Sequence, residues 1–153
     1  MARFNRRKEK PEFDQKLLDL ARVTRVVKGG RRFRFRATLV IGNRKGRVGI
    51  GVAKGTDVAG AIQKAFDKAK KNMIEIDISS GTISCDILQK LGGAKVLLKP
   101  ASKGRGIIAG GAVRAVMDLA GIKDIVSKSL GSSNKLNVAR ATMEALKQLK
   151  TRE

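Results

Sequence analysis

From Phe33 to Ile41 the chain alternates with a period of two. Phe33, Phe35, Ala37, Leu39 and Ile41 fall on one side, and Arg34, Arg36 and Thr38 on the other. Successive side chains of a strand point to opposite faces. The stretch therefore predicts a half-buried strand with an apolar inner face and a basic outer one. Lys28-Gly29-Gly30 precedes it as a turn signal, and "GNRKG" (42–46) follows as a hairpin loop. Val48, Ile50 and Val52 then alternate with Gly49 and Gly51. Glycines facing outward from a strand let another backbone approach closely.

Upstream, residues 13–27 carry two patterns. Phe13, Leu17, Leu20 and Ala21 have helical spacing, while "ARVTRVV" is β-branched. The later part predicts a strand. Downstream, Thr56 is placed to cap a helix. Val58, Ile62, Ala65, Phe66, Ala69 and Met73 form its apolar stripe, with Lys64, Lys68 and Lys71 on a neighbouring one. The first unit reads β-β-β-α. "MIEIDISSGTI" (73–83) looks like a join into a second unit. There, "AKVLLKPA" (94–101) predicts a strand ended by Pro100. A helix carries Ile108, Val113, Val116, Met117 and Ala120, and Gly121 can end it. "IKDIVSKSL" (122–130) predicts a strand, and about Asn137 to Leu149 a last helix. The second unit reads β-(β)-α-β-α.

Charge narrows the function. The chain has 34 Lys/Arg against 13 Asp/Glu, a formal net charge of +21. Between Leu20 and Gly55 there are eleven basic residues and no acidic one: Arg22, Arg25, Lys28, Arg31, Arg32, Arg34, Arg36, Arg44, Lys45, Arg47 and Lys54. Such an excess destabilises a free monomer by self-repulsion, and a polyanion relieves it. Nucleic acid is the leading partner and an anionic membrane surface the second. Guanidinium forks match phosphate geometry, and clustered lysines attract phosphate without regard to sequence. The candidate contacts are those eleven residues, Gly29 and Gly30 of the turn, the helix lysines Lys64, Lys68 and Lys71, and Lys103 and Arg105 of a glycine-rich loop. Three strands and a basic helix favour structured RNA, read by shape and phosphate. Phe33 and Phe35 could stack on bases instead. They share the face of Ala37, Leu39 and Ile41, so both read as core.

Other classes are disfavoured. No apolar run approaches the about 18 residues of a membrane span. "MARFNRRKEKPEFD" lacks the apolar centre of a signal peptide, and residues 1–12 read as a flexible basic arm. Apolar content of 42% is enough for a core. The lone Cys85 fits a reducing cytosol, and without histidine it has no partner to activate it. No catalytic residue, metal site or cofactor is expected. "GRGIIA" (104–109) fits a loose dinucleotide pattern, with Asp124 further on. A nucleotide fold needs a larger parallel sheet than this chain can supply, so the glycines read as close packing or a phosphate contact of RNA.

Four long runs carry a specific resemblance: "VVKGGRRFRFRATLVIGNRKGRVGIGVAKG", "AIQKAFDKAKKNMI", "PASKGRGIIAGGAVRAVMDLAGIKDI" and "GSSNKLNVARATMEAL". In this order, from about Leu17 to Leu149, they resemble the S-five family of bacterial small-subunit ribosomal proteins. The resemblance implies an α+β fold of two small α/β domains. One is like a double-stranded-RNA-binding module, and the other carries a left-handed βαβ crossover, an exception to the usual hand. The two domains are expected over 13–76 and 77–150, between the basic arm over 1–12 and a tail over 151–153. The resemblance also implies a non-enzymatic constituent of the cytoplasmic ribosome that binds 16S ribosomal RNA. Proteins S-four and S-eight would be neighbours, with S-three near the messenger entry channel. Influence on head–body arrangement, decoding accuracy and assembly is implied as well. The family's spectinomycin-linked loop falls on Val27, Lys28, Gly29, Gly30 and Arg31. Val52-Ala53-Lys54-Gly55 stands where the family often has Tyr/Phe-Gly-Lys-Ala.

Overall fold

The computed structural model describes residues 12–78 and 80–151. Apart from Glu12 and Thr151, the expected arm and tail lie outside the described residues. Strands β1 (Asp14–Val27), β2 (Gly30–Gly42), β3 (Arg47–Gly55) and β4 (Met73–Glu75) form one antiparallel sheet in chain order. Helix α1 (Val58–Lys71) packs on β2 and β3. Strands β5 (Ile87–Leu91), β6 (Ala94–Pro100), β7 (Ile107–Ile108) and β8 (Ile125–Ser129) form a second sheet, ordered β5-β6-β8-β7. Strands β7 and β8 run parallel, joined through α2 (Gly111–Ala120), and α3 (Lys135–Thr151) closes the chain. The class is α+β with two small α/β units, as the sequence led us to expect.

Strand β1 is longer than "ARVTRVV" alone suggested. It pairs with β2 from Asp14 to Val27, and the register shifts between Leu17 and Asp19. This bulge adds a residue on one strand and re-aims its neighbours. Leu17 and Leu20 thus stand opposite Leu39 and Ala37 on one face, while Leu18 packs into the core of the other. A bulged strand places apolar residues three apart, which explains the helical spacing seen upstream of Ala21.

The two faces of β2 have different fates along its length. Ala37, Leu39 and Ile41 bury against Ala61, Ala65 and Ala69 of α1, as the alternation required. The opposite face was expected to be outer and basic, yet Thr38 and Val40 are fully buried there. Val40 and Val48 share one core with Val113, Val116, Met117 and Leu119 of α2. The second unit therefore covers the half of β2 nearest Gly42. Burying side chains of this size contributes on the order of 1.5–3 kcal/mol each.

Gly49 and Gly51 face α1, not outward. A Cβ built at Gly51 would run into the Ala65 carbonyl and lie 2.6 Å from the Ala69 nitrogen. The close approach is real, and the approaching backbone is the chain's own helix.

Three smaller expectations are corrected. Asp57, not Thr56, caps α1: its side chain accepts from the Gly60 amide at 3.1 Å. Ile108 lies in the short strand β7, half exposed, and α2 starts only at Gly111. Strand β5 was not located in the sequence, because "ILQKL" has no strict alternation.

Candidate nucleic-acid interface

The β1–β2 hairpin extends past the helix layer. Its last direct pair before the turn is Val27–Gly30, so Lys28 and Gly29 form the tip. From Gly30 to Arg34 every residue of β2 is exposed. Directly paired residues of an antiparallel ladder share a face. The register therefore sorts the arginines. Arg25 faces Arg32, Val23 faces Arg34, Ala21 faces Arg36, and Lys54 of β3 faces Arg36 from the other side. Arg25, Arg32, Arg34, Arg36 and Lys54 thus make one basic strip. Arg22 and Arg31 lie on the opposite face with Phe33. The single basic outer face read from the sequence is in fact two.

Like charges directly opposite one another on a ladder are destabilising. The Arg25–Arg32 pair carries that penalty in the free protein. Among the described residues no carboxylate lies within ion-pair distance of either. Arg36 is different: it reaches Asp19 at 3.7 Å.

Other candidates are engaged in the fold. Arg44 bridges Asp14 of β1 at 3.0 Å and Asp118 of α2 at 3.8 Å. Its backbone amide donates to the Leu119 carbonyl at 2.9 Å, and Gly46 donates to Ala120. The "GNRKG" loop thereby satisfies carbonyls at the C-terminus of α2, where such groups lack helical partners. Arg47 pairs with Glu75 at 3.4 Å. Lys45 is exposed beside them. On α1, Lys64, Lys68 and Lys71 are exposed, but the helix covers the face opposite the Arg25–Arg32 strip. Lys103 and Arg105 are exposed in the loop before β7, on the second sheet. The fold thus gathers the hairpin arginines and leaves the lysine stripe and the glycine-rich loop as separate patches.

Two basic grooves were not anticipated. Lys16, Arg114 and Lys135 line one of about 560 Å³ between β1, α2 and α3. Lys68 and Arg140 line another of about 530 Å³ between α1 and α3. Their residues are far apart in sequence, and no local pattern marks them.

"GRGIIA" has a structural use. The Gly106 amide donates to Oδ1 of Asp124 at 2.8 Å, and Asp124 is buried. Asp124, the acidic residue of the loose dinucleotide pattern, ties the loop to the start of β8.

Comparison with known proteins agrees with this architecture. The model for ribosomal protein S5, N-terminal domain, matches residues 13–77, and that for its C-terminal domain matches 89–153. The chain belongs to the ribosomal protein S5 family. The small ribosomal subunit protein uS5 of Campylobacter jejuni subsp. jejuni serotype O:23/36 (strain 81-176) is 52% identical over 150 residues. That alignment covers 98% of this chain and 99% of the relative. The uS5 proteins of C. jejuni strain RM1221 and of serotype O:6 (strain 81116 / NCTC 11828) are equally similar, each 52% identical over the same shares. As an S5 protein the chain is a structural, non-enzymatic ribosomal protein. Among the described residues, no helix is long and apolar enough to cross a membrane.

Proposed function

We propose that this S5 protein is built into the small ribosomal subunit by binding 16S ribosomal RNA, chiefly through the β1–β2 hairpin. The observation that carries the reading is the Arg25–Arg32 pair, opposed across the ladder, with Arg34 beside it and no carboxylate in reach among the described residues. That arrangement costs stability unless a polyanion meets it. Lys28, Arg36 and Lys54 extend the same contact, and Arg22 and Arg31 add to it from the opposite face of the hairpin. Lys64, Lys68 and Lys71 form a second contact, and Lys103 with Arg105 a third. Lys45 adds to the first at its base, whereas Arg44 and Arg47 act mainly within the fold.

In the same reading, domains over 13–76 and 77–150 meet different parts of the subunit. The loop Val27–Arg31 lies at the joint of head and body and bears on spectinomycin response. Proteins S-four and S-eight are the neighbours, S-three and the messenger entry channel lie close by, and the protein contributes to decoding accuracy. The family membership and the exposed, glycine-bearing tip support this.

Crosslinking within purified small subunits tests it. Peptides containing Lys28 to Arg34 should carry RNA adducts, and peptides from β5 should carry fewer. Adducts absent from the hairpin but present elsewhere would move the interface.

A further inference from the structure

Phe33 was expected in the core and is not there. It is 47% exposed, on the stretch of β2 that α1 does not reach. Its neighbours are specific. Thr24, a small residue, stands directly opposite, and Arg22 opposes Phe35 two residues along. The Arg22 guanidinium carbon lies 4.4 Å from the Phe33 ring centroid, over the ring. On the tip side Val26, 79% exposed, opposes Arg31. The ring is thus held by a cation–π contact and still open to solvent across about half its surface.

Leaving a phenylalanine half exposed forfeits part of its burial energy. Hairpin packing alone does not require an aromatic ring opposite Thr24 at an uncovered end. Unstacked RNA bases, by contrast, bind on aromatic rings and on guanidinium planes. Here both surfaces are side by side, and Arg31 is next to them for the adjoining phosphate. Resting on the RNA-binding reading above, we infer that Phe33, with Arg22 stacked on it, receives an unpaired RNA base at the flank of the hairpin. The arginine strip on the opposite face holds phosphates without regard to sequence. Phe33 would add preference for RNA with a base out of its helix.

The full-length chain can be titrated with two synthetic RNA hairpins, one carrying a single unpaired adenine in its stem and one fully paired. Phe33→Leu keeps apolar bulk and removes the ring. It should weaken binding of the RNA with the unpaired adenine about tenfold, the scale of one base–aromatic stack. Binding of the paired RNA should hold, with the same salt slope for both. Phe33→Trp should keep the preference. The chain has no tryptophan, so the new residue reports alone, and its emission should be quenched by the RNA with the unpaired base and not by the paired one. Equal affinities of the wild-type chain for the two RNAs, equal losses in a folded Phe33→Leu, or unquenched tryptophan in the bound complex would each overturn the stack. If Phe33→Leu does not fold, Phe33→Trp decides. Salt-dependent binding of both RNAs without preference rejects only this inference. Failure of the wild-type chain to bind either RNA rejects the RNA-binding reading and this inference with it.

Discussion

Gly121 and Arg44 meet where the two sheets are joined. Gly121 ends α2 in the left-handed region, at φ 91°, and a Cβ built on it would collide with the Arg44 carbonyl. The loop of the first sheet thus closes over the end of a helix belonging to the second. Hydrogen bonds from Arg44 and Gly46 to Leu119 and Ala120 complete the seal. The two units share this joint and the core around Val40 and Val48, so damage on one side should be felt on the other.

Gly121→Ala should therefore destabilise the whole chain. It imposes an unfavourable φ and a collision with backbone. A loss of about 2 kcal/mol or more is expected, which for a chain of this size lowers Tm by roughly 4–8 °C. Thermal unfolding followed by circular dichroism checks this, and an unchanged Tm would mean that the joint is loose.

Gly51→Ala probes the other tight contact, between β3 and α1. The new methyl must push the helix backbone away at Ala65 and Ala69. Overpacking of this kind costs about 1–3 kcal/mol. In chemical denaturation the midpoint should fall with little change in slope.

Asp124→Ala removes the acceptor of the Gly106 amide and leaves that donor without its partner. A cost of about 1–3 kcal/mol follows for a buried group. Asp124→Asn retains an acceptor oxygen and should restore most of it. Affinity for RNA should be unaffected by either change. Equal destabilisation by Ala and Asn would show that the side-chain charge matters rather than the hydrogen bond.

Much of this fold could be read from local pattern. The alternation over Phe33–Ile41, the lysine stripe of α1 and the glycine that ends α2 were all visible, whereas the apolar stripe read for α1 left out Ala61 and took in Met73, which lies in β4. What escaped depended on residues distant in sequence. Val40 is buried because α2, some seventy positions later, packs in the same core. Phe33 is exposed because α1 stops short of it, and a period of two cannot report where a covering helix ends. The division of the arginines between two faces needed the register of β1, which the bulge at Leu18 disguised. Arg44 looked like one more phosphate contact because Asp14 and Asp118 are far from it in the chain.

Gly29→Asp separates the tip's role from its fold. A Cβ at Gly29 has nothing within 4 Å, so the isolated chain should keep its Tm within about 2 °C, as surface changes do. Subunits reconstituted with it should assemble and show altered inhibition by spectinomycin. Wild-type drug response in fully assembled subunits would reduce the tip to a turn.

If the hairpin arginines hold RNA phosphate, binding must depend steeply on salt. Binding of the full chain to 16S ribosomal RNA should be measured from low to moderate salt, for wild type and for Arg25→Glu. If about five phosphates are neutralised, the log–log slope should be near −4. Arg25→Glu replaces a like-charged pair with an opposite one across from Arg32. It should raise the stability of the free chain by about 0.5 kcal/mol, weaken RNA binding and flatten the slope by about one or more. A gain in stability together with a loss of affinity is the predicted result. A flat salt response in wild type, or unchanged RNA affinity in Arg25→Glu, would show that these arginines do not hold RNA phosphate.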